Sequence, residues 1–232
     1  MGGFSLKSNN EVTVLVPAYN EESRIKATIL ALQKLSAVKE IIVINDGSTD
    51  RTAQMVDETE AILLNLKLNH GKGDALNAGL NIAKGEIIAL IDADLEESAK
   101  ELQKLLIPVL KKRVDMTIAK FPPAKRKGGF GLVTNLAKLG LELFTGLEFE
   151  SPLSGQRVLT REVIDYLGEF KSGFGVEVAM TIQVLRGGFE VEEIPVNMGH
   201  RETGRDWAGF KHRGRQFIDV LTVFFSQLRG ER

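Results

Sequence analysis

The sequence predicts an α/β fold: a mainly parallel central sheet with helices on both faces. Three observations carry this. Short β-branched runs alternate with amphipathic stretches through the first half, the pattern of repeated strand–helix units. The runs are almost wholly apolar, as strands buried on both faces are. Polar or acidic residues follow each of the first four runs, at the edge where open α/β sheets bind ligands.

The expected strands are Val12–Val16, Ile41–Ile44, Ala61–Leu66 and Ile87–Ile91, with a further strand at 114–119. The helices between them are Glu22–Leu35, Thr49–Thr59, Gly73–Ala83 and Ser98–Lys111. Ile25, Ile29 and Leu32 repeat at helical spacing, as do Leu102, Leu105, Leu106 and Val109. Lys120–Gly131 is basic and rich in Pro and Gly, which predicts a loop. Helical patterns resume at Thr134–Phe144, Arg161–Leu167 and Val176–Leu185. Gly187-Gly188 marks a turn before a strand at Phe189–Val196. The polar segment His200–Arg205 follows, then an amphipathic helix from Trp207 to Leu228. The 232 residues suit one domain, with a first half at 1–119, a second at 120–206 and the helix at 207–232.

Composition narrows the function. Net charge is −1, so no global field draws the chain to nucleic acid. The chain has no cysteine, which excludes a disulfide framework, a thiolate zinc site and a cysteine nucleophile. The N-terminus lacks an apolar signal core, and no apolar stretch approaches the roughly 20 residues that span a bilayer. A cytoplasmic protein is expected.

The four strand ends carry the chemistry. They deliver Pro17–Glu22, Asn45–Asp50, Asn69–Asp74 and Asp92-Ala93-Asp94 to one edge. Gathering carboxylates opposes folding through like-charge repulsion, so a metal and nucleotide site is the better reading. Residues i and i+2 of a strand point the same way, so Asp92 and Asp94 are expected to face one cation, Mg²⁺ or Mn²⁺. Alternatively, Asp94 caps the next helix. Asp46 is expected to bond a base or ribose hydroxyl, while Ser48, Thr49 or Asp50 caps a helix. Lys72 is read either as a base or phosphate contact or as a solvated lysine. Gly71-Lys72-Gly73 is no dinucleotide fingerprint, because Leu76 stands where the last glycine belongs.

VPAYNEE (16–22), NDGSTDRT (45–52), NHGKGDALNAG (69–79) and DAD (92–94) together resemble the inverting glycosyltransferase family 2, with its GT-A fold. SGQRVLTREV (154–163) resembles a segment of dolichyl-phosphate mannose synthase-like members, and 173–196 resembles their acceptor-side helix and strand. The resemblance implies that Pro17, Ala18, Asn20, Glu21, Asp46 and Lys72 line the nucleoside pocket. It implies that Asp92 lies against ribose or diphosphate and Asp94 ligates the metal. Glu177 falls where members place a catalytic carboxylate. His200 resembles a second metal ligand of glucosyl-3-phosphoglycerate synthase-like members, and Arg201 and Arg205 would then meet phosphate. Ser154–Arg157 is expected to turn near the sugar or acceptor, with Arg157 as a substrate contact.

The implied reaction moves a hexose from a UDP- or GDP-sugar to an acceptor hydroxyl or phosphate. Glu177 serves as general base, or positions a sugar hydroxyl when the acceptor is already an ionised phosphate. The acceptor is a small phosphorylated molecule or a polyprenyl phosphate. Phe217, Leu221, Phe224 and Leu228 form an apolar stripe that packs on its own domain or on a membrane surface; a homodimer is also compatible. The loop with Lys125, Arg126 and Lys127 either covers a soluble acceptor or receives a lipid phosphate. Sugar nucleotidyl transfer is the competing enzyme class, but PAYNEE is a poor substitute for a glycine- and arginine-rich triphosphate loop. A non-catalytic nucleotide-sugar binder is the third reading.

Overall fold

A computed structural model describes residues 11–122, 131–170 and 176–199. Seven strands form one sheet: β1 (Val12–Ala18), β2 (Val38–Asp46), β3 (Ile62–Leu66), β4 (Ile87–Leu90), β5 (Met116–Lys120), β6 (Arg157–Thr160) and β7 (Val191–Pro195). Their spatial order is β3-β2-β1-β4-β6-β5-β7. β1 pairs in parallel with β2 and β4, and β5 pairs in parallel with β7, while β6 is antiparallel to both β4 and β5. The expected α/β, GT-A-like arrangement is therefore present.

Alternation along the strands builds two cores. Val12, Val14 and Val16 of β1 join Ile41 and Val43 of β2 and Ile87 and Ala89 of β4 on one face. There they pack against α1 (Ile25–Gln33) and α4 (Leu102–Leu110). Leu15, Ile42, Ile44, Ile88 and Leu90 take the other face, against α3 (Lys72–Leu80), α5 (Gly131–Thr145), α6 (Arg161–Leu167) and α7 (Val176–Arg186). α2 (Thr52–Asp57) adds Val56 to the first core. Period-two burial on both faces is why the strands read as unbroken apolar runs.

Two expectations needed correction. β6 was not anticipated: four residues beginning with an arginine are too short for periodicity to register. The single helix expected at Ser98–Lys111 is a 3-10 segment, Glu96–Glu101, followed by α4. The C-terminal helix, the segment His200–Arg205 and most of the basic loop lie outside the described residues. Among the described residues, no helix is long and apolar enough to cross a membrane.

One buried hydroxyl couples the first core to the strand-end loops. Thr28 of α1 is fully buried; its Oγ1 donates to Ala93 O at 2.8 Å and accepts from Glu96 N at 2.8 Å. Thr28→Val keeps the shape and leaves both backbone groups without this partner. It is expected to cost about 1–3 kcal/mol in a urea unfolding titration.

Candidate active site

The sheet changes direction of winding between β1 and β4, because β2 and β3 lie on one side of β1 and β4 on the other. Ligand crevices form at such switch points, beyond the carboxyl ends of the strands. The loops after β1 and β2 are laced there. Asn20 N donates to Ser48 Oγ (2.9 Å), Glu21 N to Thr52 Oγ1 (2.8 Å) and Glu22 N to Asp50 Oδ2 (3.1 Å). In return Thr49 N donates to Asn20 Oδ1 (2.8 Å) and Arg51 N to Glu22 Oε2 (2.9 Å). Asn20 adopts φ 56°, a left-handed conformation that asparagine tolerates better than most residues.

Asp46 ends β2 with only 4% exposure. Its two oxygens accept from His70 N (2.9 Å) and Gly71 N (2.8 Å), so it shapes the third loop from beneath. Gly47 beside it has φ +70°, and a Cβ there would meet Leu68 C at 2.7 Å. The third loop in turn delivers Lys72 to the first position of α3.

Lys72 Nζ donates to Asp92 Oδ1 at 2.6 Å, with 39% of the lysine side chain exposed. Desolvation by the surrounding protein opposes the ammonium charge, but Asp92 and Glu177 outweigh it and raise the Lys72 pKa. Asp92 Oδ2 accepts from Gln156 Nε2. Asp94 lies two residues on, 18% exposed, with Arg24 at 3.9 Å. Glu177 sits in the first turn of α7.

A cleft of about 330 Å³ opens at this edge, and Glu177 is not among its lining residues. Pro17, Ala18, Glu21, Asp46, Lys72, Asp92 and Asp94 all line it. Tyr19, Asn69, Gly71 and Ala93 also line it. All four lie inside the quoted motifs, so they could have been named by adjacency.

Three expectations change. Asn20 is exposed, but its side chain is engaged in lacing the loops and it is not among the cleft-lining residues. Asp92 and Asp94 do not share a strand face, because β4 ends at Leu90 and both residues lie beyond it. The N-cap position of the 3-10 segment that follows is held by Leu95.

The third change concerns Arg157. It is fully buried, not aimed at substrate. Its guanidinium donates to Ser154 O (2.9 Å), Thr181 Oγ1 (2.9 Å) and Pro152 O (3.3 Å). Burial depresses its pKa to about 10, against the opposing pull of Glu177 and Glu193, and it stays charged at neutral pH. Of the remaining expected residues, His200, Arg201 and Arg205 lie outside the described residues.

The chain matches the family model "Glycosyl transferase family 2" over residues 13–163. It belongs to that family. As a family 2 glycosyltransferase it uses a nucleotide-sugar donor. The crystal structure of Mycobacterium tuberculosis glucosyl-3-phosphoglycerate synthase with Mn²⁺, UDP and phosphoglyceric acid is similar at TM-score 0.77 and 26% identity. That likeness covers 94% of this chain and 80% of the synthase. An uncharacterized protein of Methanocaldococcus jannaschii is 31% identical over 94% of this chain and 91% of its own length. An undecaprenyl-phosphate 4-deoxy-4-formamido-L-arabinose transferase of Shewanella sediminis is 25% identical over 91% of this chain. The match spans 66% of that transferase, and only 33% of the Proteus mirabilis one.

Removing the buried guanidinium of this glycosyltransferase would take the side-chain donor from the Ser154 and Pro152 carbonyls and from the Thr181 hydroxyl. Arg157→Met is expected to destabilise the chain by about 1–3 kcal/mol in denaturant unfolding, the cost of leaving a buried acceptor unsatisfied.

Proposed function

We propose that this glycosyltransferase moves a hexose, with inversion, from a UDP- or GDP-sugar to a small phosphorylated acceptor, using Mg²⁺ or Mn²⁺. The observation that carries this reading is the convergence of Asp46, Lys72, Asp92 and Asp94 on one cleft at the sheet's switch point.

The donor set fits a divalent cation. Among the described residues, four carboxylates line the cleft (Glu21, Asp46, Asp92 and Asp94) against one lining cation, Lys72. An anionic diphosphate entering that field needs added positive charge. Among the described residues, no group of three His, Cys, Asp or Glu could hold an ion by itself. That suits a metal held by one or two protein groups plus substrate phosphates. Asp94 is the proposed protein ligand, with His200 as its partner; the chain leading to residue 200 is tied by Gly199 N to Ser98 Oγ at 3.1 Å. The ion would supply charge neutralisation at the leaving diphosphate.

The chain's own residues then divide the work. Asp46 holds the third loop so that Lys72 opens on the cleft toward the donor phosphates. Pro17, Ala18 and Glu21 would border the nucleoside, and Asp92 the ribose or diphosphate. Glu177, whose charge acts on Lys72, would take the proton of an acceptor hydroxyl approaching from behind the anomeric carbon. Arg201 and Arg205 are the proposed acceptor-phosphate contacts. A small acceptor is favoured over a polyprenyl phosphate because the likeness to the phosphoglyceric acid complex covers more of both chains.

Incubating the protein with UDP- and GDP-hexoses, Mn²⁺ and phosphoglyceric acid or a polyprenyl phosphate tests the reading. Transfer to the phosphorylated acid with inverted anomeric configuration is expected by NMR. Transfer only to the lipid would overturn the acceptor assignment, and no turnover with any donor would overturn the reaction. Asp94→Ala is expected to lose about 10²-fold or more in kcat. Glu177→Gln is expected to lose about 10²–10⁴-fold with a hydroxyl acceptor. Loss of neither activity would remove those two roles.

A further inference from the structure

The segment Ser154–Arg157 reaches the cleft from the second half of the chain. β6 runs antiparallel to β4 with Arg157 opposite Leu90, so the residues just before it arrive at the carboxyl end of β4. Gln156 is 2% exposed, which excludes an ordinary surface role. Both ends of its carboxamide are engaged: Oε1 accepts from Ser154 Oγ at 3.4 Å, and Nε2 donates to Asp92 Oδ2. Asp92 Oδ1 accepts from Lys72 Nζ at 2.6 Å. The carboxylate is thus gripped by a neutral donor on one oxygen and a cation on the other. Gly155 completes the seat, for a Cβ there would crowd Lys72 Nζ.

We propose that Gln156 is a positioning residue for donor binding: its buried carboxamide fixes the Asp92 carboxylate, and through it the Lys72 ammonium, where the donor diphosphate arrives. The inference rests on the donor reading above. A carboxylate's terminal torsion is broad, and a lysine has four flexible carbons, so a Lys–Asp pair alone holds no single geometry. At 39% and 36% side-chain exposure this pair is also weakly held by charge alone. Gln156 adds a restraint from a rigid support. Its backbone carbonyl accepts from Ala119 N (3.0 Å), and Arg157 beneath it binds two carbonyls of the same turn. Fixing the pair before the donor arrives removes an ordering cost from binding, so affinity for the nucleotide is what the residue sets.

The test titrates UDP and GDP, each with Mn²⁺, into the full chain and into Gln156→Met, which keeps the volume and loses the donor. Gln156→Met is expected to weaken the bound nucleotide about 5- to 20-fold and to raise the donor KM with kcat nearly kept. In an Asp92→Asn background the same change is expected to weaken it by less than about two-fold, because Gln156 acts through that carboxylate. Should Gln156→Met not fold, Ser154→Ala removes the hydroxyl that orients the carboxamide and is read the same way. Equal losses in both backgrounds, or unchanged affinity with a fallen kcat, overturn the inference. Nucleotide binding to the unaltered chain with no change in the variant overturns it alone. Failure of both nucleotides to bind the unaltered chain overturns the donor reading and the inference together.

Discussion

Everything at the cleft depends on where β1 sits. It is the strand from which the sheet winds in both directions, with β2 and β4 both parallel to it. Its core residues Val12, Val14, Leu15 and Val16 are fully buried, so it cannot slip register without exposing an apolar face to the wrong layer. With β1 pinned, the loops after β1, β2 and β4 must leave the same edge side by side. The crevice follows from this pairing pattern, before any particular side chain is considered.

The side chains then hold that crevice open in one shape. Most of the charge near it is already committed to protein groups. Asp46 is taken by two backbone amides, Asp50 by Thr52 and Glu22 N, and Asp92 by Lys72 and Gln156. Asp50 illustrates the balance: partial burial works against its charge, yet the hydrogen bonds from Thr52 and Glu22 lower its pKa overall. Its stabilising contribution is therefore present above the usual carboxylate pKa and fades as pH falls through the lowered one. Groups fixed this way need little rearrangement when a charged ligand arrives, which is the condition for strong electrostatic stabilisation of a leaving group.

The two halves of the chain meet through β6. Entering antiparallel between β4 and β5, it carries the turn at 152–156 to the edge built by the first half. Arg157 is the buried peg of that turn, bonded to α7 through Thr181. Asn77 of α3 adds a second tie, donating to Phe170 O and accepting from Phe170 N, both at 2.8 Å. The helix that begins with Lys72 and the chain at Phe170 are thereby held to one frame.

The sequence alone determined the parallel first half, the two-sided burial of its strands and the four loops that meet at one edge. These are local properties: apolar runs, helical spacing, and the residues directly after each run. It also named most of the cleft lining, from Pro17 to Asp94. Tertiary structure decided what each group does there. Asn20 laces loops because Ser48 and Thr49 stand opposite, and Arg157 is buried because β6 enters the sheet antiparallel. Gln156 meets Asp92 from 64 residues away. No spacing rule reports such partners, because they are set by strand order and register, which a single chain's periodicity does not encode.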